Sequence, residues 1–273
     1  MRLHAKVALV TGAGAGIGKG VARRLASEGA ALWLADIHAE SVQQAAAEIE
    51  RDFGAQVGFG RTDVSERAEV ETMVQAALAR FGQVDILVNN AWGPAPGRRG
   101  YSRVETQDDA DLDWALRVGS RAALWAMQAV FPGMRERRWG RVINMCSLNG
   151  VNAHPFSLDY NMAKEALRTL TRTAAREWAP HGICCNAICP AAATEAYRKF
   201  ATAQPDNAAV LLRLNPMGRM GDAEADIGSV ALFLASEDCR YLTGNTLFVD
   251  GGSHINGVPW FPEPPVSQPA APA

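Results

Sequence analysis

Tyr160 and Lys164 stand four residues apart in SLDYNMAKEA, a stretch that reads as helix, so their side chains share one helical face. A phenol beside an ammonium can move a proton. Free tyrosine ionises near pH ~10, and a neighbouring cation favours the phenolate. Lowering that pKa by roughly three units corresponds to about 4 kcal/mol of differential stabilisation. A phenolate held this way can take the hydroxyl proton of a secondary alcohol while the carbon-bound hydride leaves. The same spacing also decorates helix surfaces that do no chemistry, so the elements around the pair must decide its meaning.

Short apolar runs alternate with helical patterns along the chain, which predicts an α/β protein built as a single-domain, Rossmann-type doubly wound parallel sheet with helices on both faces. Strands are expected at Val7 to Val10, Ala31 to Ala35, Val57 to Gly60, Ile86 to Asn89, Val142 to Met145, Ile183 to Ile188 and Thr246 to Val249. Helices are expected at Lys19 to Ser27, Ala39 to Arg51, Ala68 to Arg80, Leu112 to Met134, Asp159 to Trp178 and Ala223 to Ala235. The domain is placed at residues 1–252. Residues 253–273, which contain VPWFPEPPVSQPAAPA, are placed as a proline-rich tail whose prolines forbid helix and central strand.

The first predicted strand runs into TGAGAGIG just before a helix, where glycines let the backbone turn tightly and free N–H groups at the helix start face an anion. The spacing is Gly12-x-x-x-Gly16-x-Gly18 and does not match G-x-G-x-x-G. Such a turn can also serve a tight connection without a ligand, but its place after the first strand favours a nucleotide. Asp36 ends the second strand, where a carboxylate can accept from both hydroxyls of a ribose or, alternatively, cap the next helix. Ala15 and Ile37 bring no cation that could receive a ribose 2′-phosphate, so the expected cofactor is NAD rather than NADP.

The chain has 273 residues, 48% hydrophobic and 21% charged, with a formal net charge of -2. That balance gives no reason to expect nucleic acid or an acidic membrane surface as a partner. Arg98-Arg99 and Arg135 to Arg138 are short clusters read as solvated charges, with an acidic substrate near Arg98-Arg99 as the alternative. The apolar run VALV is too short for a signal peptide or a membrane span, so a cytoplasmic protein is expected. Five cysteines, an odd number, fit a reducing compartment, and Cys184, Cys185 and Cys189 read as buried strand residues rather than metal ligands. No metal is expected.

Several separate stretches resemble the short-chain dehydrogenase/reductase family. TGAGAGIG, with Gly12, Ala15, Gly16, Ile17 and Gly18, resembles its cofactor loop; Asp63-Val64 resembles its adenine-contacting pair; Asn89-Asn90-Ala91 resembles the segment after its fourth strand. GRVINMCS ends in Ser147, thirteen residues before Tyr160, and Tyr160 to Lys164 matches its YxxxK signature. ICPAAAT, containing Pro190, resembles the strand-end motif whose threonine, here Thr194, holds the nicotinamide carboxamide. FLAS and VDGG, closing at Gly252, complete the likeness, which spans Lys6 to Gly252. The resemblance implies Ser147, Tyr160 and Lys164 as catalytic residues, with Tyr160 and Lys164 also touching the cofactor. It further implies a homotetramer or dimer packed through the long helices that contain Leu124 and Leu167.

Three positions depart from that pattern: Gly119 where an active-site asparagine is usual, Trp92 for the glycine after Asn-Asn-Ala, and Ala191 for a glycine after the proline. In the family that asparagine lies at a break in its helix, and its backbone carbonyl holds a water leading to the lysine. A glycine keeps the carbonyl, so Gly119→Asn is expected to be tolerated. The segment from Gly93 to Asp111 looks longer than usual and can line a substrate mouth or form a plain surface loop. Trp92, Ser147, Leu148, His154, Phe156 and Tyr197 are the substrate-binding candidates. The expected activity is an NAD-dependent interconversion of a secondary alcohol and a ketone on an apolar, cyclic or aromatic substrate. A nucleotide-binding regulatory protein without turnover is the competing class, and a nucleotide-sugar epimerase is disfavoured for want of a further substrate domain.

Overall fold

A computed structural model of the chain describes residues 1–97 and 102–255. Arg98-Arg99 and nearly all of the proline-rich tail lie outside the described residues. Seven strands form one parallel sheet in the order β3-β2-β1-β4-β5-β6-β7. They are β1 (Val7–Thr11), β2 (Ala31–Asp36), β3 (Val57–Arg61), β4 (Ile86–Asn89), β5 (Gly140–Met145), β6 (Ile183–Pro190) and β7 (Thr246–Val249). The chain winds outward from β1 in one direction and from β4 in the other, and the two halves part between these neighbours. A parallel sheet opens a crevice at such a switch point, beyond the carboxyl ends of its strands.

Alternation along each strand feeds two cores. Ala8, Val10, Leu32, Leu34, Ile86, Val88 and Ile143 point to one face, against α1 (Gly16–Ala26), α2 (Ala39–Phe53) and the later helix over Ser229–Ala235. Leu9, Ala35, Leu87 and Val142 point to the other, against α3 (Arg67–Phe81), α5 (Ala122–Arg137) and α7 (Leu158–Trp178). Leu167, expected on a packing helix between subunits, is 2% exposed inside this chain, whereas Leu124 is 36% exposed.

The predicted helix from Leu112 to Met134 is three pieces: α4 (Asp109–Leu116), a π-turn over Arg117–Arg121, and α5. Asp108 caps α4 by accepting from the Ala110 N–H at 2.7 Å, so the helix begins before its apolar pattern does. The break expected at Gly119 is therefore present, as a wide turn rather than a kink. The remaining helices are the short α6 (Leu148–Val151), α8 (Glu195–Ala203), α9 (Pro205–Leu214) and α10 (Ser229–Ala235), the last entered through a second π-turn over Ala223–Gly228. The sequence reading has no helix at α8 or α9. Pro205 sits at the first position of α9, where a missing N–H costs nothing, and so starts that helix.

Candidate active site

The switch-point crevice is a cleft of about 550 Å³, within the range of cofactor and ligand sites. Gly12, Ala15, Gly16, Ile17, Asp36, Ile37, Asp63, Val64, Asn90 and Ala91 line one end, and Trp92, Tyr160, Lys164, Pro190 and Thr194 line the other. Fifteen separately predicted residues thus meet in one space.

Two of the loop glycines have backbone angles that disfavour side chains, with φ of +64° at Gly12 and +55° at Gly16. No side chain caps the first turn of α1, and no acidic residue stands in it. Its N–H groups and positive dipole end are suited to a pyrophosphate. Gly18 does not line the cleft: a Cβ there would sit 2.1 Å from the Gly12 carbonyl oxygen, so this glycine lets the helix start lie against the turn. Asn90 is also partly committed, because its amide donates to the Thr11 and Gly12 carbonyls at 2.9 and 3.1 Å.

Asp36 binds the loop directly. Its Oδ2 accepts from the Gly14 N–H at 2.9 Å and its Oδ1 from the His38 N–H at 3.0 Å. Each oxygen keeps another lone pair, so the carboxylate can organise the loop and still accept from a ribose. Across the strand pair lies Arg61, a cation the sequence reading overlooked. Its guanidinium is tied to Glu69 at 3.1 Å, which neutralises it.

At the other end, α7 carries Tyr160 and Lys164 under the end of β5. Lys164 is 4% exposed, and its ammonium donates to the Met145 carbonyl at 2.8 Å. Burial pushes this ammonium below the ordinary lysine range. Burial also pushes the Tyr160 phenol above its usual value, and its hydrogen bond with Ser147 offsets part of the rise. The raised phenol runs against the lowered pKa read from the Tyr–Lys spacing, because desolvation is the largest influence on it. Ser147 Oγ accepts from the Asn149 N–H at 3.2 Å as the cap of α6, which fixes the hydroxyl near the phenol. Thr194 caps α8 by accepting from the Tyr197 N–H at 3.2 Å.

Of the substrate candidates, Trp92 lies in the cleft with its ring edge-to-face against Tyr160, centroids 4.8 Å apart. Ser147, Leu148, His154, Phe156 and Tyr197 are absent from the residues that line it, Ser147 reaching the site through its hydrogen bond with Tyr160. Phe156 is 51% exposed, at φ +64°, and faces Arg103; His154 sits by the Ser157 hydroxyl, and Tyr197 against Phe200. Trp114, Val118 and Met145 line the cleft instead. The Trp114 indole donates to the Gly93 carbonyl at 3.1 Å; an aromatic residue near the start of a helix leading to Gly119 was the only signal for it. Cys184, Cys185 and Cys189 are buried in β6, and burial pushes the Cys189 thiol up to about 12.

A smaller cavity of about 10 Å³ adjoins the cleft behind Lys164, lined by Thr11, Asn89, Val118 and Gly119 among others. That is room for one water, with polar groups around it.

Among the described residues no helix is long and apolar enough to cross a membrane. The family model described as "Enoyl-(Acyl carrier protein) reductase" matches residues 12–254. The chain is 37% identical over 253 residues to a 12alpha-hydroxysteroid dehydrogenase of a Clostridium species, covering 90% of this chain and 96% of that protein. It is 38% identical to a galactitol 2-dehydrogenase (L-tagatose-forming) of Cereibacter sphaeroides, covering 92% and 96%. The crystal structure of a levodione reductase superposes with a TM-score of 0.86 at 32% identity, over 93% of this chain and 99% of that one. With its parallel sheet, glycine turn and YxxxK helix, the chain belongs to the short-chain dehydrogenase/reductase family, oxidoreductases that work with a nicotinamide cofactor.

Proposed function

We propose that this protein interconverts a secondary alcohol and its ketone with NAD, and that Ser147, Tyr160 and Lys164 carry the proton chemistry. The observation that supports this most is the meeting of Tyr160 and Lys164 with the glycine turn and Asp36 in one cleft. Bound NAD supplies the hydride acceptor and a positive ring. Ser147 holds the reacting oxygen by a hydrogen bond, Tyr160 takes its proton in oxidation or returns it in reduction, and Lys164 keeps the phenolate accessible. The water-sized cavity behind Lys164 connects that ammonium to the Gly119 turn and is the proposed path for proton exchange. Trp92, Trp114, Val118 and Met145 give the reacting end an apolar, partly aromatic wall. That wall fits an apolar alcohol or ketone, such as the hydroxysteroid and the levodione named for two relatives, better than a polyol such as galactitol. A panel of cyclic, aromatic and polyol alcohols, read by NADH absorbance, tests the assignment; turnover of polyols alone would overturn the substrate class.

NAD should exceed NADP in kcat/KM by roughly a hundredfold, because a 2′-phosphate beside Asp36 meets a like charge costing several kcal/mol. Arg61 does not compensate, since Glu69 holds it. Asp36→Ala combined with Ile37→Arg is expected to bring the two cofactors within about tenfold, and to weaken NAD because Gly14 loses its acceptor. Equal efficiency of both cofactors with the unaltered protein would refute the role given to Asp36.

The raised phenol also sets the direction of pH dependence. Alcohol oxidation needs the phenolate and should climb as pH rises through the Tyr160 titration, while ketone reduction needs the phenol and should persist at lower pH. Saturating NAD, by adding positive charge, should move the tyrosinate absorbance of Tyr160 to lower pH, taken as the difference from Tyr160→Phe. An oxidation profile flat across neutral and alkaline pH would exclude a titrating base.

A further inference from the structure

We propose that Trp92 is a positioning residue for the Tyr160–Lys164 pair and that its indole takes the space a side chain at position 119 would fill, so that Trp92 and Gly119 form one interlocked substitution. The inference rests on the reading of Tyr160 and Lys164 as the proton-handling pair.

Gly119 is buried, and its backbone is not in the left-handed region, so the π-turn does not itself demand glycine. Packing does. A Cβ at 119 would stand 2.9 Å from the Ala163 Cβ, closer than real Cβ atoms come, and 3.0 Å from Trp92 Cζ3, where the indole would have to give by a few tenths of an ångström. The Trp92 ring fills the corner between the π-turn and α7. It meets Tyr160 at 79° and 4.8 Å, and its centroid lies 5.2 Å from the Lys164 ammonium. An edge-to-face contact fixes the plane of the phenol, while Ser147 fixes its hydroxyl. The indole face beside the ammonium favours its charged form, which burial opposes. Trp114 braces the arrangement by holding the Gly93 carbonyl, the residue after Trp92. The expectation that Gly119→Asn is tolerated does not survive this geometry: asparagine at 119 collides with an indole already in place.

The test is reciprocal rescue, with Trp92→Gly, Gly119→Asn and the double variant assayed on one secondary alcohol with NAD. Each single change should lower kcat by roughly 10- to 100-fold through misplacement of the phenol. KM for NAD should stay within about threefold in each single variant, since the loss is one of phenol placement rather than uniform binding. Their combination should recover most of the loss. Trp92→Phe, which keeps an aromatic edge, should keep kcat within about tenfold and leave the pH profile of oxidation unchanged, whereas Trp92→Gly shifts it. Gly119→Ala supplies the milder steric probe if Gly119→Asn does not fold, and Trp92→Gly should recover part of the fall in its melting temperature, the contact with Ala163 remaining. Single losses that multiply in the double variant would overturn the pairing. A Trp92→Gly loss confined to alcohol KM would leave the indole a substrate wall and nothing more, and overturn the positioning role. If Tyr160→Phe retains native rates in the same assay, it is the base assignment that fails, whatever the Trp92 variants show.

Discussion

Tyr160→Phe is expected to lower turnover of an alcohol by roughly a thousandfold or more, at the upper part of what a positioned acid or base contributes. NAD affinity should change by less than about threefold, because the ring still packs against Trp92 and only the oxygen is lost. The hydroxyl is the atom that Ser147 orients. Losing it leaves a cleft able to bind but unable to accept a proton. Isothermal titration with NAD and steady-state kinetics on the same preparation separate these two effects. Near-native rates in Tyr160→Phe would require another base; the alternatives among the described residues that line the cleft are Asp36, His38, Asp63 and Glu195, together with Lys164 and the Cys146 thiol, which burial pushes up to about 11.

Lys164→Met should cost turnover on a comparable scale and weaken NAD as well, since the ammonium lies 5.7 Å from the Tyr160 ring centroid and lines the cofactor cleft. Its distinguishing sign is stability. The native ammonium is 4% exposed and donates to the Met145 carbonyl at 2.8 Å. Replacing a desolvated charge by an apolar chain of similar length is often neutral or stabilising, whereas leaving that carbonyl unpaired costs about 1–3 kcal/mol. The two nearly cancel, so the melting temperature should hold or rise while activity collapses. That combination marks a group kept for chemistry at the expense of stability. A large fall in melting temperature would instead make Lys164 a structural donor to β5.

The strands were legible because a parallel sheet buried on both faces writes continuous apolar runs: ILVN and TLFV are found where their composition puts them. Helix interiors were legible for a similar reason, while their starts were not, since Asp108 and Pro205 act through backbone N–H groups rather than through hydrophobic period. At the site, residues tied to local spacing were read correctly as neighbours, Tyr160 with Lys164 and the glycines with Asp36. Residues fixed by contacts across the chain were misjudged. Trp92 and Gly119 are 27 positions apart and read as two independent departures, whereas in space each accounts for the other. Phe156 and Tyr197 are substrate candidates from position and aromaticity, and neither is among the residues that line the cleft, Phe156 lying by Arg103 and Tyr197 by Phe200. Much of the motive for a turnover-free binding protein came from Gly119 and Trp92. With the turn at Arg117–Arg121 intact and its corner filled, that motive weakens.

The central claim is hydride transfer from a carbinol carbon, with Tyr160 as the proton acceptor. The most direct measurement uses a cyclic secondary alcohol deuterated at that carbon, incubated with NAD and the purified protein, with the nicotinamide product analysed by mass spectrometry. One deuterium is expected in the reduced nicotinamide formed by the native protein, and none above background with Tyr160→Phe. Tight NAD binding without deuterium transfer from any member of a broad alcohol panel, and without reduction of the matching ketones by NADH, would contradict the claim.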